Sequence, residues 1–168
     1  PLQKLDPSAV QQPIPDEEIT VFVMVVGETS RAMNFSLNGY ARQTNPQLSQ
    51  LDIAYFKDTQ SCGTATATSV PCMFSHFGRK DFNIEDASHT ENALDILKQS
   101  KIDVQWREND DGCKGVCTRL PTIEMIKVND PQYCDGESCH DEVLVKELDN
   151  ILKNIKKDTI IILHTIGS

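Results

Sequence analysis

Apolar residues in this chain gather in short blocks, and two spacings account for most of them. "ITVFVMVV" (19–26) is apolar at nearly every position, without the alternation of a strand that has one wet face. Continuous apolarity over that length predicts a central parallel strand covered on both sides. "DTIIILH" (158–164) predicts another strand, "KIDVQWRE" (101–108) alternates as a strand should, and "IAYFKD" (53–58) is a short strand candidate. Helical spacing marks "ENALDILKQS" (91–100), where Ala93, Leu94, Ile96 and Leu97 share a side. It is clearest in "DEVLVKELDNILKNIKK" (141–157), through Val143, Leu144, Leu148, Ile151, Leu152 and Ile155. A further helix is predicted to begin near Thr66, and "RAMNFSLNGY" (31–40) carries a weak helical period. Residues 109–139, rich in Gly, Asp and Cys, read as loop.

Strands alternating with helices predict an α/β fold, a mainly parallel central sheet flanked by helices. Such sheets bind ligands outside the carboxyl ends of their strands. That rule selects "GETS" (27–30) after the first strand and "HTIGS" (164–168) after the last. Residues 1–18 hold Pro1, Pro7, Pro13 and Pro15 with no hydrophobic period, and read as an extended linker. Residues 19–168 form the domain. The chain stops directly after a strand end, so a domain interrupted in mid-fold is expected.

Charge and cysteine content narrow the classes. Against 16 Lys+Arg stand 25 Asp+Glu, a net charge of -9. Nucleic-acid surfaces need concentrated positive charge, so no nucleic-acid partner is expected. No apolar run approaches the ~18 residues that cross a bilayer. The 6 cysteines cluster as Cys62/Cys72, Cys113/Cys117 and Cys134/Cys139. Neighbour pairing would close three short loops, each worth roughly 2–3 kcal/mol and persistent only in an oxidising compartment. The rival is a zinc site of Cys113, Cys117, Cys134 and Cys139, whose outer spacings exceed the usual two-residue knuckle.

Three positions carry candidate chemistry. Glu28, where an apolar strand runs out, can ligate a metal or act as a base, or merely complement a helix dipole. Thr66 lies in "SCGTATATSVPC" (61–72). Its hydroxyl needs a metal or an adjacent base to become a nucleophile, and the plain alternative is that these threonines cap a helix. Lys114, inside "GCKGVC" (112–117), could meet a phosphate as a point charge if its flanking cysteines pair, or be an ordinary surface lysine. His164 and Thr165 stand at the last strand end; His76, His89 and His140 have no such placement and read as surface.

"VVGETSRAMNFSLNGYARQTNPQL", "SCGTATATSVPCMFS", "WRENDDGCKGVC", "YCDGESCHDEVL" and "LHTIGS" together resemble the periplasmic catalytic domain of lipid A phosphoethanolamine transferases. These are enzymes of polymyxin resistance and include the mobile colistin-resistance proteins. The resemblance covers roughly residues 20–168, in order and at matching spacing. It implies an alkaline-phosphatase- and sulfatase-like fold, a zinc cofactor, and transfer of phosphoethanolamine from phosphatidylethanolamine to a lipid A phosphate. By the family motifs, Thr66 is the acceptor threonine and Glu28 a ligand of the same zinc. Lys114 is associated with the substrate phosphate, and His164 is a weaker candidate for substrate contact. The cysteine pairs Cys62–Cys72, Cys113–Cys117 and Cys134–Cys139 are disulfides in relatives. The implied location is the periplasmic face of the bacterial inner membrane, reached through transmembrane helices ahead of the linker.

Relatives continue past "HTIGS" into another histidine and supply an Asp-His zinc pair downstream. With only Glu28 and Thr66 of that set, these residues alone are expected to bind zinc weakly or not at all and not to turn over. Two alternatives compete. A related metal-dependent phosphatase or phosphoglycerol transferase would share the threonine and metal logic. A sulfatase is disfavoured, because "PCMFSH" (71–76) lacks the Cys/Ser-x-Pro-x-Arg signature. A non-catalytic disulfide-stapled secreted module would leave Glu28 and Thr66 in their motif positions by coincidence.

Overall fold

The computed structural model describes residues 1–12 and 18–167. Four parallel strands form one sheet in the order β1-β4-β2-β3: β1 (Val21–Val26), β2 (Asp103–Glu108), β3 (Thr122–Glu124) and β4 (Thr159–His164). Among the described residues five α-helices accompany it: α1 (Thr66–Phe74), α2 (Ile84–Ser88), α3 (Ala93–Gln99), α4 (Met125–Val128) and α5 (Leu148–Asn154). The α/β class with a mainly parallel sheet is as the sequence predicts.

β4 is the strand buried along its whole length. Side chains of a strand alternate between faces, and β4 divides the core accordingly. Ile160 and Ile162 join Val70, Phe74, Leu94 and Trp106 on one face. Ile161 and Leu163 join Met125, Val143 and Leu144 on the other. The register aligns Val26, His164 and Glu108 across three neighbouring strands. The residues that follow them therefore leave the sheet side by side at its carboxyl edge.

Several expectations change. β1 pairs only with β4 among the described residues, and Phe22 and Val25 are 58% and 62% exposed. Among the described residues it therefore lies at the edge of the sheet rather than in its centre, while its continuous apolarity remains that of a strand able to be covered on both sides. Residues 53–58 form no strand; Phe56 is 77% exposed and the segment finds no sheet partner among the described residues. The long helix expected over 141–157 is broken. A 3-10 turn spans Asp141–Val145, Lys146 is extended, and Glu147 turns left-handed (φ 60) before α5. Tertiary bonds cause the break: Lys146 Nζ pairs with the buried Asp130, and its carbonyl accepts from Arg107 Nη2 at 3.2 Å.

Within the expected loop 109–139, β3 and α4 are too short to show a period. The weak period over 31–40 becomes two 3-10 turns, Ala32–Asn34 and Ser36–Asn38. Of the segment read as a linker, residues 13–17 lie outside the described residues, as does Ser168. Gln3 bonds on both sides to the 89–91 backbone, and the Leu5 N–H donates to Glu91 Oε2 at 3.1 Å.

The cysteines form three disulfides, Cys62–Cys72, Cys113–Cys117 and Cys134–Cys139. No cysteine among the described residues is free, which removes the four-cysteine zinc site.

Candidate active site

Thr66 is the first residue of α1. The residue capping that helix is Ala65, which has no side chain to cap with. The Thr66 hydroxyl is thus not consumed by capping; it donates to Glu28 Oε2 at 2.8 Å, across 38 residues of sequence. The Cys62–Cys72 bridge ties the approach to α1 onto the helix body and limits how far Thr66 can drift. Pro71 sits inside this helix, where it removes one backbone donor.

Glu28 lies two residues past the end of β1, just before a bend at Thr29. Its Oε1 accepts the Thr29 N–H at 3.1 Å, with Thr29 in the left-handed region (φ 51). Gly167 crosses directly over this bend. A Cβ there would lie 3.0 Å from both Glu28 Cβ and its carbonyl oxygen, and φ of +72 already favours glycine. Asp141 fixes the crossing: its carboxylate accepts from the N–H groups of Ile166 (2.8 Å) and Gly167 (3.2 Å) and from Asn109 Nδ2 (2.8 Å).

His164 ends β4 and is fully buried. Its Nδ1 lies 2.8 and 3.0 Å from the two oxygens of Glu108. Glu108 also accepts from Trp106 Nε1 and from the Asp110 N–H, each at 2.8 Å. Burial pushes the Glu108 carboxyl up, but bonds from His164 and Trp106, the imidazole charge and the Asp110 N–H outweigh it. The group is held below its ordinary range. An ionised Glu108 can only accept, so the proton of a neutral His164 belongs on Nδ1 and the lone pair on Nε2.

That Nε2 has no hydrogen-bond partner among the described residues and lies 3.9 Å from Asp110 Oδ2. Glu28, Asp110 and His164 each offer one ligand atom, all within 4.8 Å of one another. Of the sequence candidates, Glu28, Thr66 and His164 therefore meet at one edge. Lys114 is held elsewhere: it adopts φ 50 within the Cys113–Cys117 loop, and its Nζ pairs with the carbonyl and carboxylate of Asp111. His76, His89 and His140 are exposed.

Sequence reasoning passed over Glu108, Asp110 and Asp141. The strand-end rule was applied to "GETS" and "HTIGS", while the same rule at the end of β2 selects Glu108–Asp110. Asp141 carried no local signal, since its role depends on a chain crossing 25 residues away.

The sequence pattern of the sulfatase family matches residues 20–168. The chain is 46% identical over 170 aligned residues to the phosphoethanolamine transferase EptA of Escherichia coli K12, covering all of this chain and 31% of that protein. It is 38% identical to the phosphatidylethanolamine transferase Mcr-1 of Escherichia coli, covering 95% of this chain and 31% of that one. The structure of the integral membrane protein lipooligosaccharide phosphoethanolamine transferase A from Neisseria meningitidis superposes with a TM-score of 0.94 at 45% identity. That match covers all of this chain and 32% of the other. The chain thus spans about a third of the length of these relatives. No helix among the described residues is long and apolar enough to cross a membrane. By its sequence pattern and its superposition, the chain belongs to the sulfatase family, and its relatives there are phosphoethanolamine transferases.

Proposed function

We propose that this chain carries the nucleophile of a transferase that moves phosphoethanolamine from phosphatidylethanolamine to a lipid A phosphate. The carrying observation is the 2.8 Å bond from the Thr66 hydroxyl to Glu28, in a chain whose relatives carry that transferase name. Residues 19–168 would be the N-terminal portion of the catalytic domain, with 1–18 a linker from a membrane-spanning region. The integral membrane character of the meningococcal relative supports a site at the periplasmic face of the inner membrane. The disulfides suit that oxidising compartment. Resistance to polymyxins would follow, because the added amine offsets negative charge on lipid A.

Zinc fits the residues present. Glu28 offers an ionisable oxygen beside Thr66, and the buried His164 Nε2, without a hydrogen-bond partner among the described residues, lies close by. Glu28 and Thr66 would hold the ion, which when bound lowers the hydroxyl pKa and offsets phosphate charge. Thr66 Oγ1 attacks the phosphorus of the donor in line, and its proton moves toward Glu28. The new Oγ1–P bond replaces the P–O bond to diacylglycerol, which leaves with a proton. An oxygen of a lipid A phosphate monoanion then attacks the same phosphorus, the P–Oγ1 bond breaks, and the proton of that phosphate passes by way of Glu28 to Oγ1, restoring the Thr66 hydroxyl. Lys114, once released from Asp111, would neutralise phosphate charge as a point cation. His164, facing two carboxylates from a buried position, is poorly suited to a phosphate.

In the full-length protein, Thr66→Ala should lower transfer to lipid A more than about 1,000-fold, the scale of losing a covalent nucleophile. The readout is the mass of the lipid A product. Substantial transfer by that variant would defeat the proposal; a phosphoglycerol adduct or plain dephosphorylation would instead support the competing chemistries.

A further inference from the structure

β1 begins at the amino edge of the sheet, level with Asp103 and Thr159, and only beyond its far end does Glu28 meet Thr66. Six residues of strand put about 20 Å between those edges. A chain reaching Val21 through a free linker would attach the domain on the side away from its nucleophile. Residues 3–11 take another course. Gln3 forms a parallel bridge with Thr90: its N–H donates to the His89 carbonyl at 2.7 Å, and its carbonyl accepts the Glu91 N–H at 2.9 Å. The Leu5 N–H donates to Glu91 Oε2 at 3.1 Å, and the Asp6 carbonyl accepts from Gln99 Nε2 at 2.6 Å. Gln11 Nε2 then donates to Asp158, whose carboxylate also accepts the Thr20 N–H at 2.7 Å.

These contacts follow α3 from its start to its end. α3 stops at Gln99 and β2 begins at Asp103, so the end of α3 lies at the amino edge and its start lies toward the carboxyl edge. The bond from Asn92 Nδ2 to the Val116 carbonyl, in the loop after β2, holds the start of α3 on that side. Residues 3–11 therefore descend from the catalytic side to the amino edge, and β1 climbs back. Glu91 is the firmest anchor. It is 9% exposed, its charge favours the Arg119 cation, and among the described residues its carboxylate accepts the Leu5 N–H alone. We propose that residues 3–11 form a docked strap that brings the membrane attachment to the carboxyl edge, with Glu91 as the positioning residue that keeps Thr66 facing the bilayer. This rests on the reading of residues 1–18 as the connection from a membrane-spanning region to a transferase domain. A tethered site meets its substrate at an effective concentration set by the span and stiffness of the tether. Released from Glu91, the strap becomes a flexible coil, and the catalytic edge is no longer aimed at the donor lipid.

The test uses the full-length protein in phosphatidylcholine vesicles, each variant first checked for its fold by circular dichroism. Labelling of Thr66 is measured with two donors: long-chain phosphatidylethanolamine in the same bilayer, and water-soluble dihexanoyl phosphatidylethanolamine. Hydrogen exchange at the Gln3 and Glu91 amides reads the strap itself. Leu5→Pro removes the donor of the anchoring bond and Glu91→Met its acceptor. Each should speed exchange at both amides more than about 10-fold. Each should also lower labelling from the bilayer donor about 10-fold while labelling from the soluble donor stays unchanged. Glu91→Gln keeps an acceptor oxygen and should match the wild type in every readout. Leu5 lies outside the buried core, so Leu5→Pro decides the matter if Glu91→Met does not fold. Wild-type exchange in a folded Leu5→Pro protein overturns the strap. An equal fall with both donors overturns its positioning role. If the wild type labels Thr66 with neither donor, the transferase reading fails, and the exchange rates still decide the strap.

Discussion

At the scale of single residues, the candidate site depends on side chains meeting across long stretches of sequence. Glu28 and Thr66 were legible because each lies in a motif whose residue types suggest chemistry. Their 2.8 Å bond was not, since it needs the bend after β1 and the start of α1 side by side. Gly167 shows the same dependence. Its backbone is left-handed, and a Cβ would press on Glu28 at 3.0 Å. Gly167→Ala should therefore destabilise the protein by about 1–2 kcal/mol or more, from the left-handed backbone and the crowding together. In a protein of this size that lowers Tm by about 2–4 °C per kcal/mol. A melting curve superimposable on the wild type would mean that the segment after β4 does not cross Glu28 as described.

At the scale of elements, β2, β4 and α3 are readable because their apolar spacing coincides with what they bury. β3 and α4 were not, being only 3 and 4 residues long. The expected helix over 141–157 failed for a different reason. Its spacing is helical, but Arg107 and Asp130 capture Lys146 from outside, and local propensity yields to those bonds. α3 shows sequence and tertiary structure in agreement. Asn92 caps it by accepting from the Leu94 and Asp95 N–H groups, Asp95 reaches back to the Asn92 N–H, and Asn92 Nδ2 donates to the Val116 carbonyl. Asn92→Ala should cost about 2 kcal/mol, roughly half from the cap and half from the buried carbonyl left unpaired. Asn92→Ser restores the cap alone and should recover about half of that in chemical denaturation. Equal stability of the Ala and Ser variants would show that the cap contributes nothing.

At the scale of the whole molecule, parallel register is what makes a site. Val26, His164 and Glu108 end their strands in line, and their successors converge at one edge. The sequence could predict a parallel sheet and name its strand ends. It could not order the strands, in which β1 pairs with β4 alone among the described residues. Three disulfides then staple the loops around that edge, the Cys62–Cys72 bridge bearing directly on Thr66. The central claim is that Thr66 accepts the phosphoryl group. Its most direct test is peptide mass spectrometry of the full-length protein after incubation with phosphatidylethanolamine in the absence of lipid A. The account predicts a phosphoethanolamine adduct on Thr66 that disappears when lipid A is added and never forms in Thr66→Ala. An adduct on another residue, or one formed equally well by Thr66→Ala, would contradict it.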